Sequence, residues 1–418
     1  MKKAKIFYFT LQDEQTKEEK LDWFAATKFP EISFDHITPD KKSNWINLTD
    51  NDFDSFLPLV DKDVKAGKSQ TAIFKLFSRG VATQRDEWVY DFSRDALINK
   101  MKYFVEVYQE RLKTGIIREL DIKWDRELAK YLERKITKNF QESKIVKNLH
   151  RPYIKEYLYF DKHFNGMTYQ LPIIFPNPDY DNSLIWIKTG SEVPFFCLTT
   201  SCIPDVLPQG GSQCLPLYRY DKNGNRIDNI TDWGLNQFQI HYNDTTITKI
   251  DIFHYTYAIL HHPTYRQKYE LNLKRDFPRL PFYPDFHKWT EWGKILMEFH
   301  LNYETIPPYK LIRQEIATKD KPKAKLKADK ENGRIILDEN THLSGIPEIA
   351  WEYKLGNRCA LEWILDQYKE KKPKDPTIAK LFNTYRFADY KEQVIDLLQR
   401  VCTVSVQTMG IIQQMMGL

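Results

Sequence analysis

Residues 251–282, DIFHYTYAILHHPTYRQKYELNLKRDFPRLPF, constrain the chain more than any other stretch. Pro263 lacks the backbone N–H that a helix interior needs, so the run reads as two helices that meet there. Asp251 is placed to cap the first and His262 the second, with Pro263 at the first helical position, where its missing donor leaves nothing unpaired. Tyr255, Ile259 and Leu260 form an apolar stripe on the first helix, while Arg266, Lys268, Lys274, Arg275 and Arg279 load the second helix and its exit with charge. Rings and cations this closely spaced suit a polyanion, where cations hold phosphates and polar tips approach bases. An ordinary amphipathic hairpin with a solvated basic face has the same pattern, and composition alone favours it.

At 418 residues the chain exceeds one typical domain, so two or three lobes are expected, and 42% hydrophobic content is enough to build their cores. The net charge of +5 neither demands nor excludes a nucleic-acid partner, because the distribution of charge decides that. Cys197, Cys202, Cys214, Cys359 and Cys402 form no CxxC pair and no zinc spacing. An odd count without a secretory signal fits free thiols in a reducing cytoplasm. No apolar run approaches the ~20 residues a membrane helix needs, so no membrane association is expected.

Along the chain, residues 5–10 alternate like a strand, 16–27 read as a short helix and 32–37 as a second strand. A polar, turn-rich stretch over 44–68 supplies the first boundary. IFKLFSRGVAT and EWVYDF then read as two strands joined by a turn, followed by a long helix capped by Ser93 and another helix over 125–136. Between residues 150 and 220 short apolar runs (YLYF, YQLPIIFP, SLIWIKTG, VPFFCLTT, CLPLYRY) alternate with turn residues, the pattern of a β-rich lobe. Helices dominate after Asn229, with one hairpin turning at ENGR (331–334) and a long apolar stripe over 389–415. The resulting expectation is an α+β chain in three parts: a short α/β piece (1–50), a β-rich lobe (51–228) and a mainly helical region packed on it (229–418).

The wording of five blocks is more specific than their periodicity. Residues 251–282, IFKLFSRGVATQRDEWVYDF (73–92), GGSQCLPLYRY (210–220), NITDWGLNQFQIHY (229–242) and LSGIPEIAWEYKLGNRCALEWILDQY (343–368) occur in an order that resembles the C-terminal specificity domain of Type ISP restriction–modification enzymes and the adenine-specific DNA methyltransferases related to them. The opening AKIFYFTLQDEQTKEEKLDWF (4–24) is similar to the stretch that follows the methyltransferase core in that family. The resemblance implies recognition of a specific double-stranded DNA sequence, with methyltransferase and nuclease–helicase modules as partners. It implies S-adenosylmethionine and Mg²⁺ in those modules and no cofactor in this chain.

Candidate DNA contacts follow from residue chemistry and predicted position. Arg79, Thr83, Gln84 and Arg85 lie at the turn between the two predicted strands, where Arg suits guanine and Gln suits adenine. Arg85 could equally pair with Asp86 or a neighbouring acid and hold the turn. Gln213, Tyr218 and Arg219 form a second set after Gly210 and Gly211; a tight turn feeding a strand is the alternative. Lys188, Thr189, Ser191, Thr199 and Thr200 sit at predicted strand ends and either bind phosphate or close turns. His261, His262, Arg266, Lys274 and Arg275 complete the candidates, the basic members towards phosphate. The lysines of 319–330 read as a solvated run. Base readers must differ between domains with different target words, so they are expected in the less familiar stretches 139–155 or 161–180 rather than in the recognised blocks.

Catalytic motifs are missing. An adenine methyltransferase grips its flipped base with [DNS]PP[YF]; the nearest match, Asn177-Pro178-Asp179-Tyr180, has aspartate for the second proline and no preceding glycine-rich turn. No GxxxxGK[ST] phosphate loop is present. Asp121-Ile122-Lys123, beside Glu119, matches the second half of a PD…(D/E)xK nuclease site, but Pro204-Asp205 and Pro284-Asp285 follow it instead of preceding it. A Mg²⁺-dependent nuclease of that type is therefore the rival reading, and a non-catalytic docking protein the third. His254, His261 and His262 lack the i, i+4 spacing of a helical metal site, so no metal is expected.

Overall fold

The computed structural model describes residues 4–417 except 13–14, 40–44, 46–50, 178–179, 189–193, 207–210 and 318–321. Its architecture is α+β, and one sheet explains how the parts hold together. Strands Ser78–Arg79, Ser212–Pro216, Leu184–Lys188 and Phe196–Thr200 lie side by side in that order, all antiparallel. Every residue of Leu184–Lys188 and of Phe196–Thr200 is buried, because both faces of the sheet are covered. Side chains alternate across a strand, so Leu184 and Trp186 enter one hydrophobic core while Ile185 and Ile187 enter another. The sheet is a partition between two cores, which is why its strands read as unbroken apolar runs.

The first core also takes in a second sheet, ordered Ile203–Pro204, Ile145–Arg151, Ile154–Tyr159 and Tyr90–Asp91, and the helix Arg94–Thr114. Ser93 caps that helix through the Ala96 N–H, and Gly115 ends it at φ 73°, a backbone conformation glycine adopts without strain. The second core is built on helices Lys249–Ile259 and Phe286–Leu301. A four-stranded antiparallel sheet (Ile312–Glu315, Thr341–Ser344, Arg334–Asp338, Ala324–Asp329) lies in the region read as mainly helical, where the sequence reading anticipated a single hairpin. The final helix, Phe387–Met416, places Val394, Leu398 and Val401 in the first core and Met415 in the second. Both cores thus draw on residues from either side of position 228.

The N-terminal piece is a hairpin of Ile6–Tyr8 and Asp35–Ile37 with the helix Lys17–Ala26, capped by a Thr16–Glu19 capping box. None of its described side chains enters either core.

Several local expectations are corrected. Thr248, not Asp251, caps the helix at 249; Asp251 is the third residue of a capping box, its carboxylate accepting the Thr248 N–H at 2.8 Å. EWVYDF is a strand only at Tyr90–Asp91: Asp86–Val89 before it is one helical turn, because Trp88 is drawn inward against Phe104 and Phe382. Of residues 73–83 only Ser78–Arg79 forms a strand, while Phe74, Val81 and Ala82 make isolated bridges. YQLPIIFP yields a helical turn, Leu171–Ile174, since a short apolar run does not distinguish buried strand from buried helix. Among the described residues no helix is long and apolar enough to cross a membrane, and all five cysteines are free.

Candidate nucleic-acid interface

The turn at 82–86 is fixed from both ends. Gly80 lets two backbones touch: a Cβ there would sit 2.2 Å from the Asp205 carbonyl oxygen. The following residues are pinned as Val81 N–H donates to Pro204 O (2.9 Å) and Ala82 N–H to Met167 O (2.9 Å). The Thr83 hydroxyl donates to the Asp86 carboxylate, and the Arg85 guanidinium bonds Phe164 O (2.6 Å) and Asp125. Between them Gln84 is held at φ 65°, a left-handed conformation that costs a non-glycine residue about 1–3 kcal/mol. Gly166 clears space for its side chain, since a Cβ there would lie 2.4 Å from Gln84 Cγ. Lys123 Nζ donates to Gln84 O at 2.6 Å. Thr83 and Arg85 are buried, whereas Gln84 faces solvent.

This turn forms one wall of a cleft of about 560 Å³; Lys123, Arg151, Asp205, Lys374 and Asp375 complete it. The carboxylates in the cleft have partners. Glu87 accepts the Lys374 and Asp375 N–H groups, each at 2.9 Å, Asp375 accepts Trp88 Nε1–H at 2.8 Å, and Asp205 pairs with Arg151 at 2.7 Å. Behind the cleft, burial and the nearby Asp91 carboxylate push Glu156 up to about 7, while burial and the charges of Arg151 and Lys371 hold His150 well below its ordinary value.

The other candidates scatter. Arg79 and Gln213 are brought face to face as register partners, Arg79 exposed and Gln213 half-buried. Lys188 is buried, its Nζ 3.5 Å from Gly211 O, and burial pulls its pKa down. The Thr199 hydroxyl donates to Leu184 O (3.1 Å), and the Thr200 hydroxyl accepts the Cys202 N–H (3.0 Å). These two threonines close local structure. Tyr218 lies under the Arg226 guanidinium at 4.4 Å, and Arg219 lines a separate cleft with Lys75 and Lys249. His261 and His262 are buried, His261 Nδ1 lying 2.8 Å from Tyr257 O. Arg266 turns back onto Leu260 O (2.6 Å) and the Phe195 ring, and Lys274 pairs with Glu270 at 2.8 Å. Arg275 is exposed. Thr189, Ser191 and Gly210 lie outside the described residues.

The nuclease residues are engaged elsewhere. Asp121 accepts from Arg111 (3.1 Å) and Trp124 Nε1 (2.9 Å), and Asp285 caps the helix at 286. Among the described residues no group of three or more His, Cys, Asp or Glu side chains is placed to hold a metal ion. Of the Asn177–Tyr180 motif, positions 178 and 179 lie outside the described residues.

Sequence reasoning missed the loop Lys369-Glu370-Lys371-Lys372-Pro373-Lys374. Its charge run was legible, but nothing in the sequence tells that Glu87, nearly three hundred residues earlier, anchors its end. Of the named candidates, Arg79, Gln84 and Arg275 are exposed and Gln213, Tyr218, Arg219, Arg266 and Lys274 half-buried.

Comparison with known proteins agrees with the whole arrangement. The family model described as the Type ISP C-terminal specificity domain matches residues 72–397. Among solved structures, DrdV in a cryo-EM complex with DNA is similar at 45% identity and TM-score 0.85, over 98% of this chain and 43% of that one. A nuclease-deletion mutant of the Type ISP restriction–modification enzyme LlaGI, in complex with a DNA substrate mimic, is similar at 29% identity and TM-score 0.76, over 98% of this chain and 39% of that one. The ATP-dependent Type ISP restriction–modification enzyme LlaBIII, bound to DNA, is similar at 28% identity and TM-score 0.76, over 91% and 25% respectively. No curated protein matches the chain. The chain therefore spans less than half the length of these solved relatives, and it belongs to the family of Type ISP C-terminal specificity domains.

Proposed function

We propose that the chain reads a specific sequence in double-stranded DNA on behalf of a restriction–modification system working in the cytoplasm. The observation that carries this reading is the similarity, over 98% of the chain, to DrdV solved in complex with DNA. Methyl transfer to adenine, with S-adenosylmethionine, belongs to a methyltransferase module, and cleavage with ATP and Mg²⁺ to nuclease–helicase modules. The N-terminal hairpin and helix are the edge through which the methyltransferase module joins: Phe7, Leu21, Phe24 and Phe29 are 60%, 56%, 74% and 75% exposed there, an apolar surface unusual for a free end.

The test is selection from a random duplex library at moderate salt, with and without the methyltransferase module. One enriched word is the expected result. A methylation assay with S-adenosylmethionine should show no transfer by this chain alone, and robust transfer by it would overturn the division of labour. Mg²⁺-dependent nicking lost on Lys123→Ala would favour the nuclease instead.

A further inference from the structure

The family assignment does not say which surface meets the duplex, and most of the side chains the sequence nominated lie wholly or partly inside the fold. The 560 Å³ cleft beside the 82–86 turn differs from the rest of the surface in three respects. First, Gln84 is presented in a left-handed conformation by a turn whose flanking residues are all bonded inward, and its carboxamide has no hydrogen-bond partner among the described residues. A bidentate donor–acceptor group left unpaired on a fixed backbone is suited to a base edge. Second, Lys374 lines the cleft at the end of the 369–374 loop, whose Lys371 and Lys372 are also exposed, Lys371 at 3.9 Å from Asp366. Glu87 and Trp88 clamp the end of that loop to the same turn, through Lys374 N–H and the Asp375 carboxylate. The backbone that carries Lys374 and the backbone that carries Gln84 therefore stand in a fixed relation. Third, the cleft lining is balanced in charge, Arg85, Lys123, Arg151 and Lys374 against Asp86, Glu87, Asp205 and Asp375, with the acids engaged, and the exposed Lys371 and Lys372 extend its lysine side along the chain. Phosphates lie at the periphery of a groove and base edges at its centre, so a mixed polar lining with lysines to one side suits a duplex better than a uniformly basic patch would.

We infer that this cleft is the DNA-facing site, with Gln84 reading a base edge and Lys371, Lys372 and Lys374 holding backbone phosphates. The inference rests on the DNA-reading function proposed above and adds its location. Gln84 belongs to a recognised block (73–92), so its base pair is predicted to be one that related domains with the same glutamine share.

The experiment uses the full chain and a duplex carrying its selected word, with affinity measured by fluorescence anisotropy across a salt series. Each released phosphate contact lowers the slope of log K against log salt by about 0.9. The variant K371A/K372A/K374A is expected to lower the slope by about 2.7 and to weaken all sequences alike. The control K323A/K325A/K327A removes the same charge from exposed positions on and beside the strand Ala324–Asp329, outside the cleft lining, and is expected to leave the slope unchanged. Gln84→Ala is expected to reduce discrimination at one base pair by about 5- to 100-fold while keeping the salt slope. All are exposed positions, and circular dichroism checks that each variant is folded. Equal loss in the two triple variants, or Gln84→Ala discriminating like the parent, would overturn the site while leaving the function intact. A parent chain that enriches no word would overturn both.

Discussion

Arg85 shows how a residue's chemistry can be legible and its job hidden. Its place in a predicted turn suggested either a guanine contact or a pair with Asp86 or a neighbouring acid. The structure gives it Asp125, forty residues away, and the Phe164 carbonyl, with its side chain 1% exposed. Removing one partner of a buried pair leaves the other charge and a carbonyl without a donor. Arg85→Ala is therefore expected to lower stability by about 3–5 kcal/mol, read as a shifted urea midpoint. A midpoint unchanged from the parent would mean that the guanidinium is not confined as described. Glu156 carries a second residue-scale consequence. Its pKa is raised to about 7 in the folded chain by burial and Asp91, against the ordinary value of 4.5. Between those values the unfolded state has lost the proton and the folded state keeps it, so stability falls as pH rises from about 4.5 to 7 and is flat above. Glu156→Gln keeps the neutral shape at every pH. Its stability relative to the parent should grow by roughly 3 kcal/mol across that window, and a pH-independent difference would show that Glu156 is ionised throughout.

At the scale of elements, what local chemistry dictates was legible and what contact dictates was not. Ser93, with the apolar spacing behind it, marked the start of Arg94–Thr114, and the stripe over 389–415 marked the final helix, because caps and 3.6-residue periodicity are written in adjacent residues. The turn at 82–86 is legible as a link between strands, but its shape is not, because it comes from Asp205, Phe164 and Met167, which approach only in the folded chain. The cleft wall at 369–375 was invisible for the same reason. Gly293 is a further case. Helix propensity alone makes a glycine inside a helix a weak point, yet a Cβ there would lie 1.8 Å from the His254 carbonyl oxygen, so the glycine sets how closely Phe286–Leu301 approaches Lys249–Ile259. Alanine has the better helix propensity, by about 1 kcal/mol, but it would push the pair apart. Overpacking of 1–3 kcal/mol or more should win, so Gly293→Ala is expected to lower the melting temperature. An increase would show that the two helices are free to separate.

For the whole molecule, the partition sheet and the final helix make the two cores one structure. Strand Leu184–Lys188 contributes to both cores by alternate residues, and helix Phe387–Met416 contributes to both by its length. Neither core can open without exposing one face of a fully buried strand. At ~25 cal/mol per Å² of apolar surface, that is a loss no single core contact offsets. The N-terminal piece stands outside this arrangement: its helix Lys17–Ala26 has no buried residue, and its hairpin has two strands only. A two-stranded hairpin without a core is marginal by itself. Hydrogen exchange should therefore separate the chain into two classes. Amides of Ile6–Tyr8 and Asp35–Ile37 are expected to exchange through local opening, while those of Leu184–Lys188 and of the buried turns of Phe387–Met416 exchange only with global unfolding, at a common free energy. Deleting residues 1–39 should leave that common value unchanged. If instead the two cores exchanged at different free energies, the shared strand would not couple them, and a duplex gripped at the first core would have no rigid path to helices of the second. Adding the methyltransferase module should slow exchange in the N-terminal hairpin alone, because the apolar rings on that piece are then covered while the cores stay as they were.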